Sequence, residues 1–177
     1  RDSFRVVQMA GKVAGKIAFK ALDGGIKPGV RHDAAARRVV LVHAVGVVGA
    51  TGMVGQRFVT RLENHPWFEV AAIAASPRSA GKTYEEAVGD RWKMTTPMPE
   101  AVKKIMVMNV NEVEKVASQV DFVFSAVDMT KEEIKAIEEA YAKTETPVVS
   151  NNSAHRWTPD VPMVCLLYTS DAADDLI

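Results

Sequence analysis

Three glycines spaced three residues apart form the pattern in this sequence with the clearest chemical meaning. Gly49, Gly52 and Gly55 follow a short apolar run, residues 44–48, and precede an amphipathic segment. In such a loop the first glycine permits a sharp turn off a strand. The second lets a pyrophosphate approach the backbone, and the third lets a helix pack closely on the sheet. The spacing between a predicted strand and a predicted helix therefore indicates a dinucleotide-binding loop.

The start of the predicted helix would supply the positive partner for that pyrophosphate. The amides of Gly52, Met53 and Val54 should point at the anion, and the helix dipole favours negative charge at this end. The alternative is a glycine-rich turn that binds no ligand, and the strand before it and the helix after it argue against this. The residues that we expect to contact the dinucleotide here are Gly49, Thr51, Gly52, Met53, Val54 and Gly55.

The end of the second predicted strand indicates which dinucleotide would bind. NAD sites usually place an acidic residue there to bond the ribose 2′-hydroxyl. This strand instead runs into Ser76, Arg78 and Ser79, which are two hydroxyls and a guanidinium without a carboxylate. Arginine pairs well with phosphate, and Lys82 adds positive charge nearby, so we expect these four residues to bind the 2′-phosphate of NADP. The alternative is that Arg78 is a solvated arginine in a surface turn.

Strand and helix patterns alternate from residue 44 onward. Two of the predicted helices open with capping-box spacing, Asn111 to Glu114 and Thr130 to Glu133. This alternation predicts a Rossmann-like, doubly wound α/β fold with a mainly parallel sheet. The predicted strands are 44–48, 68–75, 105–110, 121–127 and 147–150, and the predicted helices are 53–64, 111–119 and 130–143.

Bulk composition excludes several classes of function. The 177 residues carry 22 basic and 22 acidic side chains, and this neutral balance argues against a nucleic-acid or membrane partner. No apolar run is long enough to span a bilayer.

The single cysteine, Cys165, rules out an internal disulfide and favours a reducing, cytoplasmic location. The histidines match neither metal-ligand nor triad spacing, so we expect no metal; they are His32, His43, His65 and His155.

The two ends of the chain differ in character from its middle. Residues 1–40 hold nine basic and three acidic residues, and residues 5–22 could form a basic amphipathic helix. The alternatives for this extension are a targeting peptide, a membrane-surface helix, or upstream sequence that is not native protein. We divide the chain into a non-native, disordered or helical extension at 1–43, a nucleotide-binding domain at 44–164 and a tail at 165–177. The tail resembles translated adapter read-through, and the alternative is a natural acidic tail.

Several stretches in the middle of the chain together resemble the aspartate-β-semialdehyde dehydrogenases, in particular their archaeal and fungal-like branch. The resemblance covers roughly residues 44–164. It rests on the order of the stretches 45–56, 76–82, 122–126 and 148–156, the last followed by Asp160-Val161-Pro162.

The resemblance implies an NADP-dependent reaction on a small acyl phosphate in lysine, methionine and threonine biosynthesis. A cysteine thiolate would attack β-aspartyl phosphate, and hydride from NADPH would reduce the thioester to the semialdehyde. Ser125 and Ala126 match the strand end that lines the nicotinamide, and Asn151 and Arg156 match residues that meet the substrate's phosphate. The alternatives are a surface salt bridge for Arg156 and a turn or cap for Asn151. The parent enzyme would be a homo-oligomer.

The catalytic residues of that family have no counterpart here. Its nucleophile lies in an Asn-Cys-Ser/Thr context, and Cys165 stands between Val164 and Leu166 instead. We therefore assign no catalytic residue and expect the chain to be inactive by itself; for His155 a helper or surface role is more consistent than base catalysis. The alternative functions are an N-acetylglutamyl-phosphate reductase, a malonyl-CoA reductase, and a non-catalytic NADP-binding sensor.

Overall fold

The computed structural model of the protein describes residues 6–10, 29–33, 38–159 and 161–165. Eight strands lie within these ranges: β1 Val6–Ala10, β2 Gly29–Asp33, β3 Arg38–Val48, β4 Phe68–Ala75, β5 Val107–Asn109, β6 Phe122–Ser125, β7 Val148–Ser150 and β8 Met163–Cys165. The helices in the same ranges are α1 Met53–Leu62, α2 Tyr84–Val88, α3 Glu100–Lys103, α4 Val113–Ala117 and α5 Lys131–Lys143, with a 3-10 turn at Gly89–Arg91.

The strands form one sheet in the order β5-β4-β3-β6-β7-β1-β8, with β2 paired to β3 outside that path. The pairings along the path are parallel, and only β2 runs antiparallel to its neighbour. The direction of winding reverses between β3 and β6, which makes this the switch point where α/β sheets bind their ligands. The predicted Rossmann-like, mainly parallel fold is confirmed.

A hydrophobic core lies on each face of the sheet. On β4, Ile73 and Ala75 belong to one core, while Ala72 and Ala74 belong to the other. The first core is covered by α1 and α2, and the second by α4 and α5. Strands buried on both faces need apolar side chains at successive positions, which is why they read as continuous apolar runs in the sequence.

Helix starts agree only in part with the predicted capping boxes. The box at Thr130 and Glu133 is present at the start of α5. The box expected from Asn111 is wrong, because α4 has Glu112 at its N-cap without a side-chain cap hydrogen bond. A box that we did not predict, Thr83 with Glu86, opens α2.

The amino-terminal region contributes strands to the sheet. Val6–Ala10 is strand β1, parallel to both β7 and β8, so the predicted helix is wrong for these residues. Residues 11–22 of that prediction lie outside the described ranges. Strand β3 begins at Arg38, six residues before the predicted domain boundary, and pairs with β2. At the other end, β8 reaches Cys165 across the boundary that we placed after residue 164, and the rest of the tail lies outside the description.

Two features are absent from the described residues. Among them, none of the helices combines the length and apolar character needed to cross a membrane. The same ranges contain no group of three or more His, Cys, Asp or Glu residues arranged to hold a metal ion.

Candidate dinucleotide-binding site

The glycine at the end of β3 is required by its backbone and by its neighbour. Gly49 has φ +83°, a left-handed conformation that L side chains rarely adopt. A Cβ there would also lie 2.6 Å from the carbonyl carbon of Ala126, which follows β6. The turn at Gly49 therefore packs directly against the end of the neighbouring strand, at the switch point of the sheet.

The other two glycines of the loop differ in what surrounds them. A Cβ on Gly55 would lie 2.5 Å from Cα of Ala50, so α1 can approach the turn only without a side chain at this position. A Cβ on Gly52 would meet only the carbonyl oxygen of Gly49, at 3.5 Å. Nothing in the described protein fills the space at Gly52, which suits the close approach of a phosphate group to its backbone.

The unpaired amides at the start of α1 lie one position later than we predicted. The amide of Gly52 donates to the carbonyl oxygen of Gly49 at 3.1 Å, so it is already used by the turn. Within the described residues, no acceptor is found for the amides of Met53, Val54 and Gly55, and α1 has no side-chain cap. Three free N–H groups and the helix dipole make this helix start suitable for an anion.

Two buried side chains that the sequence analysis did not identify form hydrogen bonds to the protein-facing side of the loop. The Gln56 amide nitrogen donates to the carbonyls of Thr51 at 3.0 Å and Arg91 at 2.9 Å, while its oxygen accepts from the amide of Lys93 at 2.8 Å. The hydroxyl of Tyr84 donates to the carbonyl of Ala50 at 2.8 Å, and burial raises the pKa of this phenol. The carbonyl groups of the loop are thus turned inward, away from the open side at Gly52. Gln56 lies within the stretch that carries the family resemblance, but only the structure reveals its partners.

The predicted 2′-phosphate loop is a tight turn after β4. The carbonyl of Ser76 accepts from the amides of Ser79 at 2.9 Å and Ala80 at 3.3 Å. Ser76 is half-buried, Ser79 is buried, and Arg78 and Lys82 are exposed. Neither cation forms an ion pair within the part of the chain that the structure describes. Both are therefore available to an incoming anion.

The end of β6 reaches the site through its backbone. The amide of Ala126 donates to the carbonyl of Val48 at 2.8 Å, next to the Gly49 turn. The hydroxyl of Ser125 is buried and donates to the carboxylate of Glu138 on α5 at 2.7 Å. The side chain of Ser125 thus points away from the turn. Only the backbone of Ser125 is left to contact a nicotinamide, and that contact remains a prediction.

The segment after β7 places the two predicted substrate residues at the surface. Asn151 and Arg156 are exposed, and the amide of Asn151 donates to the carbonyl of Ser125 at 3.3 Å. His155 between them is only 1% exposed, so the surface role considered for it is wrong. Because β3, β4, β6 and β7 are parallel neighbours, their carboxyl ends share one edge of the sheet. That edge brings together the glycine loop, the cationic turn and the segment with Arg156.

Comparison with known proteins identifies the family of this chain. The family described as semialdehyde dehydrogenase, NAD binding domain, matches residues 44–174. An aspartate-semialdehyde dehydrogenase of Schizosaccharomyces pombe is 38% identical over 133 residues, which are 75% of this chain and 36% of the relative. One from Methanothermobacter thermautotrophicus is 43% identical over 120 residues, 68% of this chain and 33% of the relative.

A solved structure shares the fold as well as the sequence. The aspartate semialdehyde dehydrogenase of Candida albicans, determined with NADP, superposes with a TM-score of 0.64 at 41% identity, covering 70% of this chain and 33% of that one. The chain thus spans about a third of the length of the relatives that it matches. The chain therefore belongs to the semialdehyde dehydrogenase family, and its residues 44–174 match the NAD binding domain of that family.

Proposed function

We propose that this chain supplies the NADP-binding part of an aspartate-semialdehyde dehydrogenase, which converts β-aspartyl phosphate to aspartate semialdehyde in the cytoplasm. The single observation that carries the cofactor assignment is the turn after β4. It offers Arg78 and Lys82 without an ion-pair partner among the described residues, and it contains no carboxylate. The relative from Candida albicans was determined with NADP, which supports the same choice.

The residues of this chain would bind and orient the cofactor in three places. The amides of Met53, Val54 and Gly55 would hold the pyrophosphate, because they lack acceptors in the described structure. Arg78, with Lys82 nearby, would bind the 2′-phosphate through charge-assisted hydrogen bonds. The backbone at Ala126 would limit the space on the nicotinamide side, since it already packs against the Gly49 turn. When bound, NADPH would supply the hydride that reduces the acyl group.

The segment after β7 would contribute to substrate binding. Arg156 is exposed and forms no ion pair within the described ranges, so its guanidinium can bind the phosphate of an acyl phosphate in a bidentate manner. Asn151 lies at the same edge of the sheet, and its exposed amide side chain can donate to the same group. The nucleophile and the base would belong to the part of the parent enzyme that this sequence does not include. The parent enzyme would be a homo-oligomer.

The cofactor assignment is tested by the variant Arg78→Ala. We expect NADP binding to weaken by about 1.5–3 kcal/mol, the scale of a hydrogen bond to a charged group, while NAD binding stays the same. Isothermal titration calorimetry with both dinucleotides measures this difference. Arg61→Ala is the matched control, because Arg61 is an exposed arginine in the last turn of α1. Equal losses for NADP and NAD would contradict a 2′-phosphate contact.

A further inference from the structure

A group of four buried polar side chains lies behind the carboxyl ends of β6 and β7. It consists of Ser125, Glu138, Ser150 and His155, each at most 2% exposed, and we call it the Glu138 cluster. Carboxylates are rarely buried to this extent unless specific partners compensate the loss of water. The partners of Glu138 therefore indicate what this side chain does.

The carboxylate of Glu138 links the ends of two adjacent strands. Its Oε1 accepts hydrogen bonds from the hydroxyl of Ser125 at 2.7 Å and from that of Ser150 at 2.5 Å. Ser125 is the last residue of β6, and Ser150 is the last residue of β7. One oxygen atom on α5 thus ties together two strand ends at the edge of the sheet that carries the site.

The same carboxylate also reaches the segment after β7, residues 151–158, which we call the 151–158 loop. The hydroxyl of Ser150 accepts from the amide of Asn152 at 3.1 Å, at the start of this loop. Oε2 of Glu138 lies 3.8 Å from Nε2 of His155, and Nδ1 of His155 lies 3.2 Å from the hydroxyl of Thr158. The start of the loop is therefore hydrogen-bonded to the cluster through Ser150, and its second half faces Glu138 through His155 without a hydrogen bond. Asn151 and Arg156 on the same loop stay exposed.

Packing alone does not account for a carboxylate at this position. The buried residues of α5 are Ile134, Glu138 and Tyr141, so Glu138 occupies the middle of an otherwise apolar stripe. An apolar side chain of similar volume would cover the sheet there without the cost of burying a charge. What an apolar side chain could not provide is the set of hydrogen bonds to Ser125 and Ser150 and the negative charge facing His155.

We propose that Glu138 is a positioning residue, which fixes the 151–158 loop on the ends of β6 and β7 and so determines where Arg156 and Asn151 meet an oxyanion. This inference rests on the proposed function, because that function supplies the acyl phosphate as the ligand. The carboxylate does not touch the ligand itself. It acts through Ser150 and His155.

The test compares three variants of the whole 177-residue chain. Glu138→Met removes the carboxylate at similar volume, and Glu138→Gln keeps an oxygen that can accept from both serines but removes the charge. Glu139→Gln is the matched control, since the adjacent Glu139 lies outside the cluster and is 3.9 Å from Lys135. Hydrogen–deuterium exchange by mass spectrometry reports on the 151–158 loop, and NADPH titration reports separately on the glycine loop. Titration with inorganic phosphate, followed by the NMR signal of the Arg156 side chain, reports on anion binding.

For Glu138→Met we expect exchange in the 151–158 loop to accelerate about tenfold, with α1 and β3 unchanged and NADPH affinity within about twofold. Phosphate affinity should fall by about tenfold, because the loop no longer holds Arg156 in one place. Glu138→Gln should give smaller changes in the same readouts, together with a shifted ¹⁵N signal of His155. Glu139→Gln should change none of them.

Two results would overturn the positioning role. One is unchanged exchange in the loop of Glu138→Met. The other is uniform acceleration across the sheet together with loss of NADPH binding, which would make Glu138 a core residue only. If Glu138→Met does not fold, Ser150→Ala is tested in its place, because it removes one hydroxyl of the cluster. The positioning role then requires faster hydrogen–deuterium exchange in the 151–158 loop and unchanged exchange elsewhere. Failure of the unchanged chain to bind phosphate would count against the proposed substrate, while the exchange pattern would still decide the role of Glu138.

Discussion

Gly52 and Gly55 have different surroundings, in line with the different roles that the sequence analysis gave them. At Gly55 a Cβ would lie 2.5 Å from Cα of Ala50, so the constraint comes from the protein itself. At Gly52 the nearest atom is the carbonyl oxygen of Gly49 at 3.5 Å, and φ is −77°. Any residue can adopt that backbone conformation, so we expect the constraint at Gly52 to come from a bound dinucleotide.

This difference leads to opposite expectations for two variants. Gly52→Val should leave the free energy of unfolding within about 0.5 kcal/mol of the unchanged protein and should abolish NADP binding. Gly55→Ala should lower the free energy of unfolding by about 2 kcal/mol, because its Cβ meets backbone that cannot move aside easily. Urea denaturation followed by circular dichroism, with a dinucleotide titration of each variant, measures both effects. Retained NADP binding in Gly52→Val would mean that the ligand does not lie on this loop.

At the scale of elements, α1 and the chain around Arg91 are joined through one amide side chain. Gln56 is 1% exposed and makes hydrogen bonds to Thr51, Arg91 and Lys93. It therefore holds the carbonyl of Thr51 in the glycine loop in place, on the side where we expect no ligand. A leucine would fill the same volume but would leave three backbone groups without their partner.

We expect Gln56→Leu to lower the free energy of unfolding by about 2–4 kcal/mol, since unsatisfied polar groups remain near the core. NADP affinity should fall as well, because the carbonyl of Thr51 loses the group that orients it. Gln119→Leu is the control, because Gln119 is exposed on the surface beside α4. This variant should change the free energy of unfolding by no more than about 0.5 kcal/mol. Chemical denaturation of both variants gives the comparison. Equal stability of the two would contradict the supporting role of Gln56.

The capping box at the start of α5 predicts that the stability of the protein depends on pH. Hydrogen bonds from the side chain and backbone of Thr130 hold the pKa of Glu133 below its usual value of 4.5. Because the pKa is lower in the folded state, the stabilisation is complete above the unfolded pKa and is lost as the pH falls through the folded pKa. Thr130→Ala removes one of these donors and should raise the pKa of Glu133 part of the way to its usual value. A carbon-detected NMR titration of the Glu133 carboxyl measures this shift.

The second capping box provides the control for that titration. Thr83→Ala alters the equivalent box at the start of α2, where Thr83 lowers the pKa of Glu86. It should leave the titration of Glu133 as it is. A Glu133 pKa that stays unchanged in Thr130→Ala would show that the hydroxyl does not contribute.

At the scale of the whole molecule, the parallel strands bring the predicted cofactor and substrate residues to one edge of the sheet. The chain has one thiol, Cys165, without the Asn-Cys-Ser/Thr context that the family resemblance requires. A nucleophile, a base and an oriented cofactor act as a unit, so binding alone provides little acceleration.

We therefore expect the 177-residue chain to bind NADPH but to form none from aspartate semialdehyde, phosphate and NADP. A spectrophotometric assay of NADPH formation measures this directly. Fusion to the carboxyl-terminal part of the relative from Methanothermobacter thermautotrophicus should restore turnover and serves as the positive control. Turnover by the chain alone that disappears in Cys165→Ala would contradict this expectation.

The sequence by itself determined the parallel α/β fold, the glycine loop and the choice of NADP as the expected cofactor. Each of these depends on local patterns: apolar runs between helices, glycines at fixed spacing, and the absence of a carboxylate after β4. Capping at Thr130 was predictable for the same reason, because both members of the box are three residues apart. Local rules were less reliable where competing contacts existed, as at Asn111, whose amide donates to the side chain of Asn109.

Only the tertiary structure decided which of these residues meet. The pairing of β1 with β7 and β8 joins segments about 140 and about 155 residues apart in the chain, separations that no local pattern encodes. The partners of Gln56 and the Glu138 cluster depend in the same way on distant backbone and hydroxyl groups. A glutamate in an amphipathic helix reads as a solvated side chain, and only the packing of α5 on β6 and β7 shows that Glu138 is buried against Ser125 and Ser150. Burial makes such contacts matter, because polar groups removed from water must find their partners inside the protein.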